Sequence, residues 1–158
     1  MKRRIVIILA MLLSISVLAS DWEYTIIDTD FNGVFNVAYS LGGGSFPYKY
    51  PFLAVRNSTK NGLEILMTNV TEGDAYEEAD ILLKFDGGEI LIYKAVCNKT
   101  GDTWFVHGIE AERLKLVNKI LSSEVLKIRL STKKRDDDFL FGLRGAKKAI
   151  DELNIIDD

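Results

Sequence analysis

The chain has 158 residues, 47% hydrophobic and 27% charged, with a formal charge of −3, one Cys, one His and two Pro. That length accommodates one domain, and 10% aromatic residues exclude a disordered or collagen-like chain. The lone Cys excludes an internal disulfide framework and a Cys-based zinc site, and the excess of acids argues against a general nucleic-acid binder.

Lys2, Arg3 and Arg4 precede an apolar run from Ile5 to Ala19, interrupted by Ser14 and Ser16. Val17-Leu18-Ala19 and Ser20-Asp21 then supply a cleavage pattern, the layout of a secretory signal peptide. The run is shorter than the roughly 20 apolar residues of a spanning helix. Residues 1–19 are therefore expected to be a signal peptide, with retention as an N-terminal anchor as the alternative. Residues 20–158 are expected to be a single β-rich domain exported to the periplasm or the extracellular space. No Cys lies near the cleavage point, so no lipid anchor is expected. The leader carries three cations and no acid, so residues 20–158 have a formal charge of −6. No second long apolar run follows, which predicts no membrane span after cleavage.

Period-2 alternation dominates from Trp22 to Gly108. It predicts strands from Trp22 to Ile26, Val34 to Ser40, Phe52 to Asn57, Leu63 to Thr68, Ile81 to Phe85, Glu89 to Ala95 and Thr103 to Gly108. Asp86-Gly87-Gly88 is the strongest hairpin signal, because tight hairpins demand positive φ. The period then lengthens: Ala111, Leu114, Val117, Ile120 and Leu121 stripe a helix over 110–121, with acids first and Lys119 last. Leu126 to Ser131 and Phe139 to Leu143 are further strands, and Leu143, Ala146, Ile150 and Leu153 stripe a helix over 143–153. The expected fold is mainly β: an antiparallel β-sandwich or open barrel of about 8–9 strands with two helices.

Each chemical candidate has a plain structural reading beside it. Asp28, Asp30, Asn32 and Gly33 fit the first half of a calcium loop, but the position for the bidentate acid is Tyr39. Asn32-Gly33 as a two-residue hairpin turn is the preferred reading, so no metal site is assigned. Cys97 and His107 lie near adjacent predicted strands, yet nothing marks the thiol as activated, and it is read as a packed hydrophobe. Glu72, Asp74, Glu77, Glu78 and Asp80 form one polar segment, read as a solvated loop rather than a catalytic pair. Gly42-Gly43-Gly44 lacks the Lys of a phosphate loop and is read as a flexible connection. Lys133 to Asp138 is internally neutralised and read as a solvated hairpin loop. Phe46 to Phe52 holds both prolines and four aromatics, so Tyr48, Lys49 and Tyr50 are the partner-binding candidates, against a packing role for the same rings. Three N-x-T sequons stand at Asn57, Asn69 and Asn98.

An ordered series of short motifs carries a family resemblance. Phe52-Leu53-Ala54-Val55-Arg56, Leu83-Lys84-Phe85-Asp86-Gly87-Gly88, Trp104 and Leu126-Lys127-Ile128-Arg129-Leu130 precede Phe139-Leu140-Phe141-Gly142-Leu143 and a last helix. Over about residues 50–153 the chain resembles the VasI/TagO-like type VI secretion accessory proteins. It is similar also to the invasion-associated locus B proteins. The resemblance implies a small exported protein, non-enzymatic, with a binding or accessory role. Asn57 stands where the family carries Cys, and no partner Cys follows, so the family's disulfide is absent.

No catalytic residue and no cofactor is assigned, because no constellation meets the needs of a catalytic class. The expected function is an exported, non-enzymatic binding or envelope-accessory protein whose partner is another envelope or secreted protein. The alternatives are a small carboxylate-dependent hydrolase and an inhibitor of a periplasmic enzyme.

Overall fold

Leu53 and Val55, Leu63, Ile65 and Met67, and Ile81, Leu83 and Phe85 are all buried, while their neighbours along each strand are mostly more exposed. Such alternation can bury one face only if the strands join one sheet and that face is covered. In a computed structural model, which describes residues 22–29, 33–58 and 60–155, this is what the chain does. The expected signal peptide lies outside the described residues.

Ten strands form: β1 (Glu23–Thr29), β2 (Gly33–Leu41), β3 (Gly43–Gly44), β4 (Phe52–Ser58), β5 (Gly62–Thr68), β6 (Glu78–Phe85), β7 (Ile90–Cys97), β8 (Thr103–His107), β9 (Val125–Ser131) and β10 (Asp136–Gly142). Two helices accompany them, α1 (Glu110–Leu121) and α2 (Ala146–Asp151). The strands make one sheet in the order β1-β2-β4-β5-β8-β7-β6-β9-β10-β3, antiparallel at every step. Through Gly42, β2 runs straight into β3, although β2 sits beside one edge of that order and β3 forms the other. The sheet must therefore curl until its ends meet. Of the two expected architectures it is the open barrel, not the sandwich.

The inside of the curl is the core. Leu116 and Ile120 of α1 line one small internal space with Leu53, Ile65, Met67, Leu83, Val106 and Leu126 of five strands. The helix thus fills the barrel, and each such side chain contributes about 1.5–3 kcal/mol by leaving water. The expected helix stripe is correct at Val117 and Ile120, but Leu116 is buried and Ala111 exposed. Leu143, Ala146, Ile150 and Leu153 are all buried, although α2 itself spans six residues rather than 143–153. The 86–88 hairpin forms, with φ of 47° at Asp86 and 74° at Gly87. Asp86 also accepts the N–H groups of Glu124 and Val125 at 3.0 and 2.9 Å, tying the hairpin to the start of β9. Among the described residues no helix is long and apolar enough to cross a membrane.

Three local expectations change. Gly42 to Gly44 is not a free connection: Gly43 and Gly44 pair with Leu140 and Phe139 as the tenth strand. An added Cβ at Gly42 would lie 2.5 Å from the Phe141 ring, so close approach explains the glycine. The Lys133 to Asp138 loop ends three residues earlier than expected, at Arg135, since β10 begins at Asp136. Gly33 is the first residue of β2 and pairs with Thr29, so it is a strand residue and not the second residue of a two-residue turn.

Candidate partner-binding groove

Directly opposed residues of an antiparallel pair point to the same face. On the outward face, Leu82 of β6 stands opposite Ile92 of β7 and Arg129 of β9. Lys84 stands opposite Ile90 and Lys127, Lys127 opposite Leu140, and Leu140 opposite Gly43. These strands bound an open groove of about 660 Å³, with Leu82, Ile90 and Leu140 in its lining and bare glycine backbone along one wall. Ile90 and Ile92 are 56% and 67% exposed. Exposed isoleucines grouped on one sheet face leave apolar area that a partner can cover.

The charges here are uneven. Arg129 forks onto Asp138, with Nε and Nη2 donating at 2.7 and 2.8 Å, and that guanidinium holds the Asp138 carboxyl below its ordinary value. Lys94 donates to Asp80 at 2.6 Å. Lys84 and Lys127 have no such partner among the described residues, although they face one another across the β6–β9 ladder. Like charges directly opposed are destabilising. The groove therefore offers an apolar floor and two ammonium groups that an anionic group would neutralise. The sequence carried a signal for it: Ile81-Leu82-Leu83 and Ile90-Leu91-Ile92-Tyr93 are apolar on both faces, where a one-sided strand would alternate.

The structure divides the three residues expected to bind a partner. Tyr48 is half-buried against the core, under the Arg135 guanidinium at 5.8 Å, and its hydroxyl accepts the Glu72 N–H at 3.3 Å. It packs. Lys49 and Tyr50 are exposed, in the connection whose first residue, Ser45, lines the groove. Of the calcium-loop candidates, Asp28 is an exposed residue of β1, while Asp30 and Asn32 lie outside the described residues. Among the described residues no group of three His, Cys, Asp or Glu is placed to hold a metal ion.

Cys97 and His107 do not meet. Cys97 pairs with Trp104 and is buried, whereas His107 pairs with Lys94 and is exposed. Burial pushes the Cys97 thiol up, the wrong direction for a nucleophile.

The acidic segment is likewise broken up. Asp74 is paired with Lys134 at 2.9 Å, and Glu78 and Asp80 belong to β6. Glu77 is buried, a correction to the solvated-loop reading. Its carboxylate accepts the Asp74 N–H at 2.9 Å and the Lys133 N–H at 3.1 Å, and these bonds hold its carboxyl below the ordinary value. A second buried acid, Asp137, accepts from the Thr71 hydroxyl and from Arg135, while Trp104 Nε1 donates to the Thr71 carbonyl at 2.7 Å. Both acids clamp loops across one end of the barrel. The sequon amides are engaged as well: Asn57 donates to the Leu153 carbonyl, Asn69 to that of Tyr50, and Asn98 to Asp102.

No protein-family model and no curated protein sequence matches the chain. Among solved structures it is similar to the crystal structure of invasion associated protein B from Bartonella henselae. The two are 13% identical, with 85% of this chain and 92% of that chain covered and a TM-score of 0.54. At that identity the likeness establishes the fold: the chain has an invasion-associated-protein-B-like barrel.

Proposed function

We propose that the chain is an exported, non-enzymatic accessory protein of the cell envelope, and that the outward groove holds an envelope or secreted protein. The observation that carries this reading is the facing pair Lys84 and Lys127 beside exposed Ile90. A partner that brings carboxylates and an apolar segment would neutralise the first and cover the second, the pattern of a steered and then desolvated contact. The fold of a protein called invasion associated supports the class of role. The basic, apolar and small-residue layout of residues 2–21 supports export.

Cells expressing the full chain are fractionated, and the exported protein is weighed intact. The reading predicts a protein outside the cytoplasm that has lost residues 1–19. Lys84→Glu combined with Lys127→Glu should lower the partner retained on the immobilised protein by about tenfold. Cytoplasmic protein with Met1 intact contradicts export, and unchanged retention contradicts the groove.

A further inference from the structure

The outer face of an antiparallel sheet packed on one side is ordinarily polar. On β2, β4 and β5 it is not. Phe35, Val37, Ala54 and Leu66 form a second buried cluster there, apart from the barrel core, with Phe105 of β8 packed against it. The register places these groups side by side: Ile27 faces Phe35, Val37 faces Arg56, and Leu66 faces Phe105. The Arg56 guanidinium lies over both rings, 4.6 Å from Phe35 and 5.3 Å from Phe105. Beside it a cleft of about 370 Å³ stays open, with Ile27, Phe35 and Val37 as apolar walls and Arg56, Lys60 and Asn61 as its polar groups. Arg56 gives its Nε to Glu64 at 2.7 Å, and among the described residues its two Nη groups donate to nothing. Lys60 is exposed and makes no ion pair among the described residues. The described residues that line the cleft include two cations and no acid.

We propose that this cleft binds a small organic acid, one carboxylate on an aliphatic chain. The paired Nη groups of Arg56 match the two oxygens of a carboxylate, and the Lys60 ammonium adds a second charge-assisted donor. The two aromatic rings hold the guanidinium plane in place beforehand, so little side-chain freedom is lost when the ligand arrives. An aliphatic chain would cover Val37 and Ile27, the latter 46% exposed. Size favours a free acid over a folded partner: small-molecule sites hold roughly 300–1,000 Å³, whereas a protein interface takes about 800 Å² from each side. The cleft lies on β1, β2, β4 and the turn after β4, and the groove on β6, β7, β9 and β10, so the proposal stands apart from the proposed function.

The test titrates octanoate, and octanamide as its uncharged counterpart, into protein purified from cells expressing the full chain, with amide chemical shifts as the readout. Octanoate should move the signals of Ile27, Val37 and Asn61 along one saturating curve, and octanamide should bind about tenfold more weakly or worse. Lys60→Gln, on an exposed turn, should weaken octanoate about fivefold. Arg56→Lys keeps the charge but loses the fork, and should weaken it about tenfold in a protein whose spectrum is still that of the fold. Lys84→Gln with Lys127→Gln should leave the affinity unchanged, which separates the cleft from the groove. Absence of a saturating shift at the cleft overturns the proposal, as do equal affinities for octanoate and octanamide. Unchanged affinity in Lys60→Gln, or affinity lost with the two groove lysines, overturns it too.

Discussion

The indole Nε1 of Trp22 donates to the carbonyl of Gly142 at 3.1 Å, a buried bond between residues 120 positions apart. It joins the residue before β1 to the end of β10, where the two sides of the curled sheet converge. Trp22→Phe keeps most of the apolar area but leaves that carbonyl without its donor. The cost should be about 1–3 kcal/mol, the penalty of a buried polar group left unpaired. Urea unfolding reads this as a lower midpoint with the slope unchanged, and an unmoved midpoint contradicts the closure role.

The second closure is steric. At Gly44 an added Cβ would lie 2.3 Å from the Tyr48 carbonyl oxygen and 3.0 Å from the Phe139 ring. Backbone cannot yield as a flexible side chain can. Gly44→Ala should therefore destabilise by about 1–3 kcal/mol, the range for overpacking a close contact. Thermal unfolding checks it.

The domain should weaken in acid, and Glu77 should account for part of the loss. Its carboxyl is held below the reference of 4.5 by the N–H groups of Asp74 and Lys133. A depressed folded value contributes stability that is complete above the unfolded pKa and disappears as pH falls through the folded one. Glu77→Gln should lower stability at neutral pH and flatten its decline below about pH 4.5. Urea midpoints across that range, parallel in the two proteins, would contradict this assignment.

Arg56 is held on the outer face by three partners. Its guanidinium lies 4.6 Å from the Phe35 ring and 5.3 Å from the Phe105 ring, and its Nε donates to Glu64 at 2.7 Å. Arg56→Lys keeps the charge but loses the planar stack. It should cost about 0.5–2 kcal/mol, measured by unfolding. A neutral result would make the stack incidental.

The elements were legible where one face is buried and the other wet. Leu126, Ile128 and Leu130 against Lys127, Arg129 and Ser131 announce β9, and the 3.6-residue stripe announces α1. What escaped has physical reasons. Gly43-Gly44 has no side chains and so no period, and its strand pairing depends on β10, far along the chain. Glu77 and Asp137 read as solvent-facing because charge implies exposure unless partners are known, and their partners are loop N–H groups, Thr71 and Arg135. Tyr48 could not be separated from Tyr50 by composition, since Arg135 approaches it only through the fold. The groove was missed because Leu82 and Ile90 count as core when strands are read singly. Only the pairing places Lys84 against Lys127.

The groove is tested most directly by a photo-crosslinking amino acid at Ile92, compared with the same group at Ile109, equally exposed at the start of α1 but on another surface. In envelope extracts the Ile92 protein should form one discrete adduct that Lys84→Glu with Lys127→Glu abolishes, and the Ile109 protein should form none. Equal adducts from both positions, or an adduct indifferent to the two lysines, would contradict the groove as the binding face.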